Sequence, residues 1–285
     1  MASVRATLLV WCPDQPGIVA AQSEFVYRHR GNILDFDQHS DVEDGTYLSR
    51  LSWDLAGFEL PRDAIAAAFR PVAERFRMQW ELRFSDEMGR IAIFVSKLDH
   101  CLHDLLWRWR VGELRADVAC VVSNHPDLEP VAASFGVPYY IYPITPVTKA
   151  AQEEGMLRRL ENVGVNLVVL ARYMQVVGPG LIEAYPSRMI NIHHSFLPAF
   201  PGARPYHRAY ERGVKIIGAT AHYVTADLDE GPIIDQDVAR VSHRDSLADL
   251  VRKGRDLEKV VLARAVNLHL ADGVLVYGNK TVVFD

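Results

Sequence analysis

Three uninterrupted apolar runs limit this chain most: Ile91-Ala92-Ile93-Phe94-Val95, Val118-Ala119-Cys120-Val121-Val122 and Leu167-Val168-Val169-Leu170. A strand with one wet face alternates apolar and polar residues. Runs without alternation are buried on both faces, as in parallel sheets covered by helices. Helical stretches at 102–109, 127–135 and 148–163 separate the runs and supply the crossovers that parallel pairing needs. From Arg90 onward the pattern predicts a Rossmann-like open α/β sheet. A long helix over 246–270 follows. A hairpin of Val274–Tyr277 and Thr281–Phe284, split by Gly278-Asn279, then ends the chain.

Upstream the rhythm differs. Thr7–Trp11 reads as a strand, and Ile18, Ala21, Phe25 and Val26 share a helical face that stops at Gly31-Asn32. A second extended segment begins at Ile33 and turns at Asp44-Gly45 into a third, Tyr47–Trp53. A helix over Pro61–Glu74 and the alternating Met78, Trp80, Leu82 and Phe84 complete a βαββαβ order, the ferredoxin-like unit. Ser85–Gly89 is small and polar. The division is therefore 4–84, a linker at 85–89, and 90–285. A four-stranded sheet of this kind leaves one face and two edges uncovered, so pairing with a second copy is expected.

Net charge of -5 disfavours a nucleic-acid partner. Cys12, Cys101 and Cys120 are odd in number and far apart, which fits neither a disulfide framework nor a zinc site. The first apolar run meets Pro13-Asp14 too early for a signal peptide, and no run is long enough to cross a bilayer. A soluble, cytoplasmic protein without membrane contact is expected.

Chemistry concentrates in two segments. In Met189-Ile190-Asn191-Ile192-His193 strand alternation puts Asn191 and His193 on one side, roughly 6–7 Å apart. An amide can donate to an oxyanion, and an imidazole can also move a proton near neutrality. The second is the acidic turn Asp227-Leu228-Asp229-Glu230-Gly231-Pro232, where an Asp could orient a His or a water. On spacing alone, N-x-H at a strand end and carboxylates in a turn are more often structural.

Together, Asn191-x-His193-x-Ser195-x-Leu197-Pro198 and Asp227-Leu228-Asp229-x-Gly231-Pro232 resemble the active-site pattern of the 10-formyltetrahydrofolate transformylases. The resemblance implies that Asn191, His193 and Asp229 are catalytic. It implies a folate site lined by Met174, Gln175, Val176 and Val177 on one wall and Val224, Thr225 and Asp227 on the other. The Leu197–Pro198 bond is expected to be cis, in a turn beneath the catalytic His. Further segments, 193–200, 202–207 and 213–223, resemble the hydrolytic formyltetrahydrofolate deformylase family, as does the two-part layout. Cys12–Val19 followed by Gly31-Asn32-Ile33 resembles an ACT domain. That likeness implies an amino-acid effector, glycine or methionine, at Asp14, Gly17 and Asn32, or else a purely oligomerising role.

The implied reaction is hydrolysis of 10-formyltetrahydrofolate to tetrahydrofolate and formate, feeding one-carbon and purine metabolism. It needs no metal, and no cofactor beyond the folate itself. Formyl transfer to an unidentified amine is the alternative. Against it, Val95–Leu102 contains no glycine with which to cradle a substrate phosphate, and Asp99 would repel one. A metal-dependent amidohydrolase using His193, His194, His207, His222 and His243 is disfavoured. No metal motif is present, and adjacent histidines on a strand face opposite ways. A sensor without turnover would not need the Asn191, His193 and Asp229 set.

Overall fold

A computed structural model describes residues 3–199 and 205–284. Contacts divide the chain into two units, Met1–Met88 with Ala271–Asp285, and Gly89–Leu270.

The first unit runs β1 (Arg5–Pro13), α1 (Ile18–Arg28), β2 (Asn32–Asp41), β3 (Thr46–Asp54), α2 (Arg62–Phe76) and β4 (Gln79–Phe84). These strands form one antiparallel sheet, ordered β2-β3-β1-β4. Leu8, Val10, Leu51 and Trp53 pack with Ile18, Val26, Ile65 and Phe69 of the helices. The buried stripe of α1 includes Gln22 beside Ile18, Phe25 and Val26, whereas Ala21 is only partly buried. Gln22 Oε1 accepts from Ser49 Oγ at 3.0 Å, while its buried Nε2 has no partner among the described residues.

The expected boundary at 90–285 is corrected at its far end. Sheet alternation sends Leu9 and Leu48 away from the helices, and both pack against Leu275 of the terminal hairpin. That hairpin is the pair of strands Val274–Tyr277 and Lys280–Val283. Arg50 Nε donates to Asp272 O at 3.0 Å, and Lys280 Nζ pairs with Asp44 at 2.8 Å. The helix-free face expected to stand open is thus partly covered by the chain's own end. Among the described residues, the edges β2 and β4 carry no further strand.

The second unit runs β5 (Gly89–Val95), α3 (His100–Arg110), β6 (Ala116–Ser123), α4 (Glu129–Ser134), β7 (Tyr139–Ile141), α5 (Lys149–Asn162) and β8 (Leu167–Leu170). It continues with α6 (Pro179–Ala184), β9 (Met189–His193), α7 (Pro205–Arg212), β10 (Ile216–Tyr223), β11 (Ile233–Arg240) and α8 (Leu247–Leu270); the hairpin strands are then β12 and β13. The sheet order is β11-β10-β9-β8-β5-β6-β7. Strands β5 to β9 are parallel, and β10 runs antiparallel to both of its neighbours, β9 and β11. The three apolar runs fall in β5, β6 and β8, at or near the middle of this sheet. The chain winds outward through β6 and β7, then returns to β8 on the other side of β5. Such a reversal opens a crevice at the carboxyl ends of the strands, the usual ligand position in open α/β sheets.

Candidate active site

The crevice lies where β8, β9 and β10 deliver their polar ends. It is a cleft of about 240 Å³. The loop after β8 forms one wall. Tyr173 and Val177 are buried there, while Met174 and Val176 stay more than half exposed. Ser96, at the end of β5, pins this wall: its Oγ donates to Asn124 Oδ1 at 2.7 Å and accepts from Met174 N at 2.9 Å. Gly178 N donates to Glu153 at 3.0 Å and fixes the wall's far end. Val224, Thr225, Asp227 and Leu228 line the facing side. Apolar side chains held open to solvent by a rigid backbone suit a flat, largely apolar ligand.

Asn191, His193 and Asp229 meet at the floor of this cleft. His193 is 5% exposed at the end of β9, and its Nδ1 lies 3.2 Å from Asp229 Oδ1. Asp229 has φ +60, a left-handed conformation that few residue types other than Asn, Asp and Gly adopt readily. Its turn lies hard against β10: a Cβ on Gly231 would stand 1.8 Å from Tyr223 O. The His193 hydrogen bond holds the Asp229 carboxyl below its ordinary range against the opposing effect of burial, so it is ionised. His193 Nε2 is buried and has no hydrogen-bond partner among the described residues.

Sequence reasoning did not place His222 in the catalytic group. Register pairs it with Asn191 across β9 and β10. Its Nδ1 lies 2.9 Å from Tyr223 O, which can only accept, so the proton sits on Nδ1. Nε2 must then accept from Asn191 Nδ2, at 3.2 Å. Burial lowers the His222 pKa and keeps the ring neutral. Asn191 is thereby oriented with its second N–H unspent. The signal was present in the sequence as the β-run Ala221-His222-Tyr223, but only the strand pairing reveals the partner.

The loop after β9 is held by a buried hydroxyl. Thr220 Oγ1 donates to Ser195 O at 2.9 Å and accepts from Leu197 N and Gln236 Nε2. The Leu197–Pro198 bond is cis, as expected. Of the motif segments 193–200 and 202–207, Phe200 and residues 202–204 lie outside the described residues.

One expectation is corrected here. His193 and His194 do not face opposite ways: their ring centroids are 5.2 Å apart and both line the cleft, because β9 ends at His193 and alternation ends with it. His194 is desolvated, with its pKa pushed down to about 3, and so stays neutral. The effector residues are not brought together within one copy. Gly17 caps α1 with φ +96, and Asp14 N donates to Gly45 O beside Pro13↔Thr46. Asn32 instead pairs with Asp54 at the other end of β3, eight residues or roughly 25 Å away. In the loop from β5 to α3, which holds no glycine, Asp99 stands at the helix start and Ser96 is already engaged. Among the described residues, His100, Cys101 and Glu258 form a candidate metal cluster, which includes none of the five histidines considered.

Comparison with known proteins bears on the whole chain. Residues 89–266 match the family described as formyl transferase. The formyltetrahydrofolate deformylase of Synechocystis sp. is 57% identical over 284 residues, 100% of both chains. That of Bacillus subtilis is 50% identical over 99% of this chain and 94% of its own. A crystal structure of a formyltetrahydrofolate deformylase from Pseudomonas syringae superposes with TM-score 0.97 at 47% identity, covering 100% of this chain and 96% of that one. Glycinamide ribonucleotide transformylase 1 from Symbiobacterium toebii superposes with TM-score 0.66 at 35% identity, over 72% of this chain and 98% of its own.

Proposed function

This chain belongs to the formyltetrahydrofolate deformylases within the formyl transferase family, and we infer from that membership that it hydrolyses 10-formyltetrahydrofolate to tetrahydrofolate and formate. The observation that carries the chemical reading is the cluster of buried His193 with the partly buried Asn191 and Asp229 in a mainly apolar cleft.

We assign the roles as follows. The pterin lies between Met174–Val177 and Val224–Asp227. The spare N–H of Asn191 and the Nε2–H of protonated His193 stabilise the formyl oxygen as it gains charge. Asp229 meets both its histidines through Oδ1, leaving Oδ2 to position a water and accept its proton. Water oxygen bonds to the formyl carbon, and collapse of the adduct breaks the bond to the folate nitrogen. That nitrogen takes up a proton held by the Asp229–His193 pair. In this reading His222 positions Asn191, and no metal or further cofactor is used.

We further propose a cytoplasmic setting, which suits three buried, unpaired cysteines. The ACT-like first unit is proposed to pair copies through an open sheet edge. A glycine or methionine effector held by Asp14, Gly17 and Asn32 requires a second copy, to bring the ends of two sheets together. Purified full-length chain supplied with 10-formyltetrahydrofolate and no amine should release formate and tetrahydrofolate in equal amounts. Formyl consumption only after an amine is added would replace hydrolysis with transfer.

A further inference from the structure

A second cavity, of about 320 Å³, adjoins the folate cleft and shares Arg172, Met174 and His194 with it. Asp229, which holds the water in the reading above, lines only the first cleft, so with folate there an acceptor larger than water has to approach the histidine pair from this second space. Its far wall is Tyr206. Three rings stand in series from the catalytic site to α8: His193 and His194 with centroids 5.2 Å apart, then His194 and Tyr206 edge to face at 6.0 Å.

Tyr206 is fixed by features that a merely space-filling ring does not need. It lies over Gly254, in the interior of α8, where glycine is normally disfavoured. A Cβ at Gly254 would come within 2.1 Å of Tyr206 Cζ and 2.2 Å of its hydroxyl oxygen, so the glycine provides the notch that seats the ring. One helical turn on, Glu258 is 1% exposed and accepts the Tyr206 hydroxyl on Oε1 at 2.6 Å. Its Oε2 is 2.7 Å from His100 Nε2 and 3.4 Å from Arg172 Nε. Both oxygens of the carboxylate are thus held by protein, and the ring has no freedom to swing away.

We propose that Tyr206, seated in the Gly254 notch and tied to Glu258, determines specificity by narrowing this second space against acceptors larger than water. The proposal rests on the hydrolytic reading of the same site. Water attack gives formate. If an amine reached the carbon, its nitrogen would bond there, the bond to the folate nitrogen would break, and the amine's proton would pass to that nitrogen. The products would be a formylated amine and tetrahydrofolate.

The test uses full-length chain with 10-formyltetrahydrofolate, alone or with hydroxylamine or glycinamide, and measures formylated acceptor against formate after subtracting the enzyme-free reaction. Wild type should release almost only formate and use glycinamide less than the smaller hydroxylamine. Tyr206→Ala, and Tyr206→Leu as a second truncation, should raise the ratio of formylglycinamide to formate by about tenfold or more, the scale on which pocket contacts discriminate substrates. Tyr206→Phe keeps the ring and should stay near wild type. A ratio comes from active molecules only, so partial unfolding does not alter it. The proposal is overturned by an unchanged ratio in both truncations, by a Phe variant that shifts as far as Ala, or by wild type that formylates both amines equally. The wild-type arm decides alone if neither truncation is active. Absence of formate without any amine would sink the hydrolytic reading itself, whereas formate release with an unmoved ratio removes only Tyr206.

Discussion

Two carboxylates within the second unit, partly buried Asp229 and buried Glu258, are held in different ways. Asp229 is contacted through one oxygen, on a strained turn at the floor of an open cleft. Glu258, on the buried face of α8, spends both oxygens on Tyr206 and His100. Burial pushes the Glu258 carboxyl up, but the His100 bond and the charge of Arg172 outweigh it and hold the group ionised. Both are therefore anions. What differs is unspent valence: His193 Nε2 and one Asn191 N–H remain for a substrate at the first site, whereas the Glu258 carboxylate is saturated. A saturated network fixes shape, and an unsaturated one stores capacity to bind a changing charge.

The comparison breaks most readily at Asp229. Asp229→Asn should lower formate release by roughly 10²–10⁴ while folate affinity, read by fluorescence titration, stays close to wild type. Near-normal turnover would make Asp229 as structural as Glu258. Asn191→Ala should cost roughly 10²–10³ in kcat, the usual loss of one oxyanion donor. Adding His222→Ala to that variant should lower kcat little further, because His222 acts through Asn191. Multiplicative losses would give His222 a separate role.

Glu258 should fail the opposite way. Glu258→Ala leaves His100 and Arg172 facing an empty buried site, and removing one partner of such a cluster costs roughly 3–5 kcal/mol. Denaturant titration should show that loss, exceeding the loss in Asp229→Asn; equal midpoints for the two variants would erase the distinction. The smallest effect concerns pH. Asp229 ionises below its ordinary 3.8, so its contribution to stability is present above the unfolded value and lost as pH falls through the folded one. The gap in melting temperature between wild type and Asp229→Asn should be constant above about pH 5 and narrow below about pH 4. A gap that changes between pH 6 and 8 would point to a histidine instead.

Much of this was legible before any fold was known. Unbroken apolar runs demanded a sheet covered on both faces, and they became β5, β6 and β8. The same signal in Leu8-Leu9-Val10-Trp11 also meant two covered faces, but the cover was sequence-remote: Leu275 lies far along the chain, so the boundary at 90–285 missed it. Asn191, His193 and Asp229 could be named because their types and order are local properties of two segments. His222 could not, since its role depends on which strand lies beside β9.

Periodicity and residue chemistry are written along the chain, and they determined the two sheets, the crossover order and the reactive groups. Register, direction and distance between remote segments are set by packing, and these only the tertiary structure decided. It set the His222 tautomer through Tyr223 O, turned His194 alongside His193, and sent Asn32 to the opposite end of its sheet from Asp14. It also seated Tyr206 against a glycine 48 positions away, because the notch exists only when α7 lies against α8.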